Sequence, residues 1–152
     1  MVHPRTHKKL KSFLIHLFIL LNNRLMIQGK KATAEKILLL FIHLSQKASK
    51  RFWFIRLIKA LTHISPMLMI KTVKRGGRLN VPFPLKGKKQ ITTGVNWLIK
   101  EIKRDKSKKE NISMRLTKKV IQSSFGKGSV VEKKKQIHQL GSKGKSLQTF
   151  RW

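Results

Sequence analysis

The sequence predicts a mainly α protein, a bundle of about six helices with a protruding two-stranded β-hairpin arm. Three observations carry this. Apolar residues recur at helical spacing in separate stretches along the chain, one segment after Pro66 alternates apolar and polar residues instead, and Gly76-Gly77 stands where two strands need a tight connection. At 152 residues the chain has the size of one ordinary domain, and no repeat or linker divides it. We read residues 1–11 as a basic N-terminal arm and 12–152 as one helical domain, with the hairpin at about 67–86.

Leu14, Leu17, Phe18, Leu21 and Leu25 place a first helix over Ser12 to Gln28, with Gly29 positioned to end it. Thr33 is the expected N-cap of the second, Glu35 lies in its first turn, and Ile37, Leu38, Phe41, Ile42 and Leu44 form its apolar face. A third helix from about Arg51 to Ile64 is aligned by Phe54, Leu57, Ile58 and Leu61 and stopped by Pro66. Then the period changes. Leu79, Val81, Phe83 and Leu85 alternate with Asn80, Pro82, Pro84 and Lys86, as in a strand with one apolar side, and MLMIKTV before the glycines supplies its partner. Pro82 and Pro84 lack N–H groups along the same edge, so that edge must be the unpaired one. Helical spacing resumes at Ile91, Val95, Leu98, Ile99 and Ile102 and breaks over RDKSKKEN. Asn111 is placed to cap a fifth helix through Ile112, Leu116 and Val120, which the FGKGS turn ends. A weaker last helix follows from Val130, because Gly141 and Gly144 lower its propensity.

Charge bounds the function. Lys and Arg number 36 against 5 Asp and Glu, a formal net charge of +31, and only a polyanion neutralises that. Nucleic acid is the leading partner class and an anionic membrane surface the rival, the latter motivated by the apolar run at Phe13 and its Lys-rich flank. That run, FLIHLFILL, is too short to span a bilayer, contains His16 and soon meets Asn22, Asn23 and Arg24, so a buried helix explains it better; no membrane partner is expected. A hydrophobic share of 40% allows a modest helical core. Without cysteine there are no disulfides or thiolate metal sites. Lysine supplies 27 of the 36 cations, which hints at an AT-rich, organellar gene. The opening MVHPRTHKKLKS is basic and acid-free, as targeting peptides are, and we read it as a nucleic-acid-binding arm.

Catalytic constellations are not legible. Glu35, Glu101, Asp105, Glu110 and Glu132 are scattered among cations and look like ion-pair partners, and no pair is spaced for acid–base work or metal. His3 and His7 have metal-ligand spacing, but Pro4 argues against a helix there; His16, His43, His63 and His138 stand isolated in the sequence. An RNA-processing enzyme using His138 is the second rival, with no identifiable catalytic partner. We expect no enzyme, cofactor or metal. The informative residues are basic clusters: Lys8, Lys9 and Lys11; Lys30 and Lys31; Lys74, Arg75 and Arg78 at the arm's tip; Lys86, Lys88 and Lys89 at its base; Lys118 and Lys119; and Lys133 to Lys135. Mostly at helix ends, the arm and the tail, they suit several separate contacts with a folded phosphate backbone. Trp53 and Trp97 are expected in the core, whereas Trp152 is free to stack.

A basic arm, GKKATAEKI, a helix ending in SP, the GG…VP arm, a helix containing Trp97, FGKGSVVEKKKQIH and a terminal TFRW follow in an order that resembles the family of small-subunit ribosomal protein seven, from about Leu21 to Trp152. The resemblance implies six helices and a long β-hairpin that bind the 3′ major domain of small-subunit rRNA and nucleate assembly of the head. It implies neighbouring head proteins, including ribosomal protein eleven, and a hairpin near the exit-site tRNA and mRNA. It adds Arg151, in the FRW motif, to the clustered rRNA-binding candidates, among which Lys133 and Lys134 lead the last group. The turn is a residue shorter than the family's usual one, Leu79-Asn80 stands where an aromatic is favoured, and Asn96 stands where an arginine is common. Ending soon after FRW is similar to mitochondrial members, so a mitochondrial small subunit is expected, with a plastid one as the alternative.

Overall fold

In the computed structural model, which describes residues 4–49, 53–74, 78–105 and 110–143, helices and hairpin follow in the order that the periodicity predicts. Helices α1 (Pro4–Leu25), α2 (Lys31–Ser49) and α3 (Trp53–Ile64) precede strands β1 (Leu68–Lys74) and β2 (Arg78–Pro84). Helices α4 (Gly87–Arg104), α5 (Ile112–Ser124) and α6 (Ser129–Lys143) complete the bundle.

The ends of these elements differ from the sequence expectations in instructive ways. The first helix opens at Pro4, well before Ser12, and closes at Leu25 rather than Gln28. Apolar spacing cannot register its polar first turns, and Pro4 takes the first helical position, where a fixed φ and a missing N–H cost nothing. His7 is therefore helical, contrary to the argument from Pro4, and Lys8, Lys9 and Lys11 lie within α1; His3 lies outside the described residues. Gln28 (φ 52°) and Gly29 (φ 72°) then turn the chain in the left-handed region. Because α2 starts at Lys31, Thr33 sits inside the first turn, and its hydroxyl donates to the Lys30 carbonyl instead of accepting from a helix N–H. Asn111 does occupy the N-cap of α5, in extended conformation, but its side chain makes no capping bond.

Phe41, Ile64, Val95, Ile102 and Leu116 form the centre of the core and are almost free of solvent contact. Helix α5 packs against α2, α3 and α4, α1 lies on α2 and α4, and α6 spans α3, α4 and β1. Where α4 crosses the end of α3, a Cβ at Gly94 would stand 3.2 Å from the Ile64 carbonyl oxygen and from the Ser65 Cα, so a glycine lets the helices close. Trp97 is buried, and Trp53 is half-buried with its ring 6.5 Å from Phe18 and 6.1 Å from Phe54; both serve the core, as expected.

The strands are antiparallel, with Leu68 opposite Pro84, Ile70 opposite Pro82 and Lys74 opposite Arg78. The Leu85 N–H donates to the Met67 carbonyl at 2.9 Å. By alternation, Pro82 and Pro84 fall in the non-hydrogen-bonded pairs and point their nitrogens off the open edge, as the sequence required. One expectation fails at the hairpin base: Val81 and Pro82, on opposite faces, are both buried, so the strand is not apolar on one side only. Helix α6 packs on the hairpin, and Gly141 makes this contact possible. A Cβ at Gly141 would lie 2.7 Å from Leu68 Cδ1 and 3.1 Å from Cδ2. The glycine that weakens α6 as a helix is the seat of the arm.

Gly141→Val should therefore destabilise the protein by about 1–3 kcal/mol in urea unfolding, through overpacking. Leu68→Ala in the same chain should recover part of that loss. Strictly additive effects of the two changes would show that they do not share the contact.

Candidate nucleic-acid interface

The base of the hairpin runs directly into α4 across Leu85 and Lys86. Lys86 is the N-cap of α4, with extended backbone and no side-chain cap, so the N–H groups of the first turn face solvent or an anion. Gln90 Nε2 donates to the Leu85 carbonyl at 2.8 Å, which ties that turn to the strand end. Lys86, Lys88 and Lys89 are all exposed, and among the described residues none has an acidic partner. Uncapped N–H groups, the positive end of the α4 dipole and three unpaired ammonium groups thus meet at one place. Along the arm, Lys71 Nζ lies 4.2 Å from the centre of the Phe83 ring, and Lys74, exposed, stands opposite Arg78 at the far end. Arg75, at the tip, and Arg151 lie outside the described residues.

The structure divides the remaining candidates. Lys30 is exposed at the α1–α2 turn, without an acidic partner among the described residues. Lys31 Nζ is 3.9 Å from Glu35, a loose exposed pair that ties up little of its charge. Lys119 pairs with Asp105 at 3.3 Å, and Lys118 with Glu110, so these two brace the α4–α5 connection. Lys133 Nζ lies 5.2 Å from the Trp97 ring centre, and Lys134 Nζ donates to the Thr62 carbonyl at 3.0 Å. Burial holds the Lys134 pKa below the ordinary lysine value. The lysines at the hairpin base and tip and at the first turn are presented outward, whereas those on α5 and α6 also hold the protein together.

Sequence reasoning missed two arrangements. Arg115 on α5 donates to the Ile102 carbonyl at 3.0 Å and also to the Asp105 carbonyl, fastening the end of α4; its place in the sequence carries no sign of this. His63 and His138, isolated in the sequence, come together on a cavity of about 360 Å³ with Lys134 and Lys135. Only the one-turn spacing of Lys134 and His138 was visible beforehand. His138 Nε2 accepts from the Met67 N–H at 3.2 Å, at the root of the arm. It must be neutral to do so, and burial together with the nearby Lys134 ammonium lowers its pKa. His138 thus joins hairpin to helix. Among the described residues no group of three or more His, Asp or Glu could hold a metal, and no helix is long and apolar enough to cross a membrane.

Comparison with known proteins agrees with this architecture. A family model described as ribosomal protein S7p/S5e matches residues 1–145. The chain is 30% identical over 146 residues to small ribosomal subunit protein uS7 of Francisella tularensis subsp. holarctica, covering 95% of this chain and 90% of that protein. It is 30% identical over 132 residues to the protein of that name from Methylococcus capsulatus, with 86% and 83% covered. Against that from Phytoplasma mali it is 28% identical over 131 residues, again with 86% and 83% covered.

The His138 contact has a pH signature. Its folded pKa lies below the ordinary 6.5, so the unfolded chain binds this proton more readily. The stabilisation is fully present above the ordinary value and is lost as the pH falls through the lower folded value. A ring NMR titration should place His138 below an exposed histidine, and exchange protection of the Met67 amide should fall with the same midpoint. Titration at or above the ordinary value would show that the fold gives the neutral ring no net advantage.

Proposed function

The chain belongs to the ribosomal protein S7p/S5e family, and from that premise we propose that it is a structural constituent of a small ribosomal subunit that binds the 3′ major domain of the rRNA and nucleates assembly of the head. The observation that carries the RNA-binding reading is the uncapped start of α4, where Lys86, Lys88 and Lys89 stand exposed without acidic partners. A phosphate there receives helix N–H groups and ammonium groups together, without breaking an existing ion pair. Lys30 and Lys31 at the first turn, Lys74, Arg75 and Arg78 on the arm, and Lys8, Lys9 and Lys11 on α1 extend the contact to other segments of a folded RNA. Lys118, Lys119, Lys133 and Lys134 contribute with what their internal bonds leave free, and Arg151 contributes from the terminal segment.

The helical core keeps these cations at set separations, so recognition rests on shape as well as on charge. In this reading the arm lies near the exit-site tRNA and mRNA, beside ribosomal protein eleven and other head proteins. The Lys-rich composition supports a mitochondrial subunit, which organelle fractionation tests against a plastid one. The reading needs no catalytic group, cofactor or metal.

Replacing both Lys88 and Lys89 by Ala should weaken binding to a 3′ major-domain fragment and leave helicity by circular dichroism unchanged. The salt dependence should flatten by about 0.7–0.9 log units per log unit of salt for each phosphate no longer neutralised. An equally long unrelated RNA serves as the reference. Unchanged affinity for the fragment would remove these lysines from the interface, and equal binding of both RNAs across the salt series would mean that only charge is read.

A further inference from the structure

The first helix exposes more apolar surface than its packing uses. Phe13, Ile15 and Ile19 are 37%, 53% and 53% exposed, and Leu39 on α2 is 66% exposed. Of these, Phe13, Ile19 and Leu39 line two grooves that run along opposite sides of α1. One, of about 620 Å³, lies against α4, with Phe13, Leu20 and Ile91 in its walls and Lys88 at its edge. The other, of about 450 Å³, lies against α2, with Phe18, Leu38 and Leu39 in its walls and Lys31 at its edge. Ile19 and Asn23, one helical turn apart, line both grooves and form the ridge between them. Asn22 also lines the second groove. It is 9% exposed, its Nδ2 donates to Glu35 Oε1 at 3.4 Å, and its Oδ1 has no hydrogen-bond partner. Reversing the amide would turn that oxygen towards a carboxylate, so the unmet group is an acceptor buried beneath the groove.

We propose that these paired grooves dock another protein, which lays an amphipathic segment across Ile19, with an aliphatic side chain in each groove and acidic residues facing Lys88 and Lys31. The alternatives fit less well. Most of the lining is aliphatic, with Leu17, Leu20, Leu38, Leu39, Ile42 and Ile91 against the rings of Phe13, His16 and Phe18, so the grooves suit aliphatic side chains better than stacked bases. A second copy of a chain carrying +31 is repelled. A bilayer covers a protruding apolar ridge but does not fill concave grooves on both sides of one. Lys88, without an acidic partner among the described residues, favours an acid-flanked partner over a neutral one, while at the second groove Lys31 shares its charge loosely with Glu35. The proposal goes beyond RNA binding and does not depend on it.

The test uses the full chain and a synthetic helical peptide with leucines on one face and glutamates on both flanks. A peptide of the same composition with its leucines scattered around the helix is the control. The amphipathic peptide should bind about tenfold or more tightly than the scattered one, since a buried leucine side chain is worth at least that factor. Ile19→Ser and Leu39→Ser, both at exposed positions, should each weaken binding by about tenfold. Leu140→Ser, at a 56% exposed position on α6, should not. Affinity for the 3′ major-domain RNA should be the same in all three variants, so failure here leaves the RNA reading standing. Equal binding of the two peptides, or equal binding by the three variants, would overturn the proposal. So would displacement of the peptide by phosphatidylserine vesicles whose own binding requires Ile19, because the face would then be a membrane contact.

Discussion

A hairpin with seven residues in each strand holds no fixed direction in water by itself, so whatever the arm presents depends on how its base is fastened. The fastening is the contact of β1 with α6. Leu68 rests on the bare backbone of Gly141, and the Met67 N–H, at the root of the arm, donates to His138 one turn earlier on the same helix. Helix α6 is itself held by α3 and α4, partly through Lys134 on the Thr62 carbonyl. The direction of the arm is thus set by the helical core. The first turn of α4 inherits it, since Leu85 bonds back to Met67 and Gln90 back to Leu85.

This arrangement lets a strongly cationic chain keep a fold. With 36 cations and 5 acids, most positive groups cannot be paired internally, so the scarce acids matter by location. Asp105 and Glu110 sit at the two ends of the α4–α5 connection with Lys119 and Lys118, and Arg115 satisfies two carbonyls at the same place. Backbone carbonyls and aromatic faces take the part of missing acids elsewhere, for Lys134, Lys103 and Lys133. Cations without acidic partners include Lys86, Lys88 and Lys89 at the hairpin base and Lys30 at the first turn, and a bound polyanion would lower their mutual repulsion. On the proposed reading, binding a polyanion and stabilising the fold are one electrostatic event, whereas the apolar grooves beside α1 answer to a different force.

Much of this architecture was legible beforehand, for a plain reason. Helix and strand periods are imposed by the core on each element separately, so Phe41, Ile102 or Leu116 announce their helices without reference to the others. The paired prolines likewise declare the open edge of β2, because a missing N–H is a covalent property. The expectations that failed concern groups whose role is relational. Pro4 begins a helix instead of preventing one because it stands at the first position, and Thr33 is not a cap because the turn at Gln28 and Gly29 starts the helix earlier. Pro82 is buried because a helix covers the face that alternation assigned to solvent.

The candidate interface divides in the same way. Composition by itself pointed to a polyanionic partner, and clustering marked which lysines were candidates, because charge is additive and needs no fold. Tertiary structure alone decided which of them remain available. Whether a lysine meets an aspartate, a carbonyl, a tryptophan face or water depends on neighbours distant in sequence, as Lys134 and Thr62 show. It also decided that Gly141, read locally as a weakness, is the point where Leu68 seats the arm, since the space beside a glycine belongs to whatever the fold brings there.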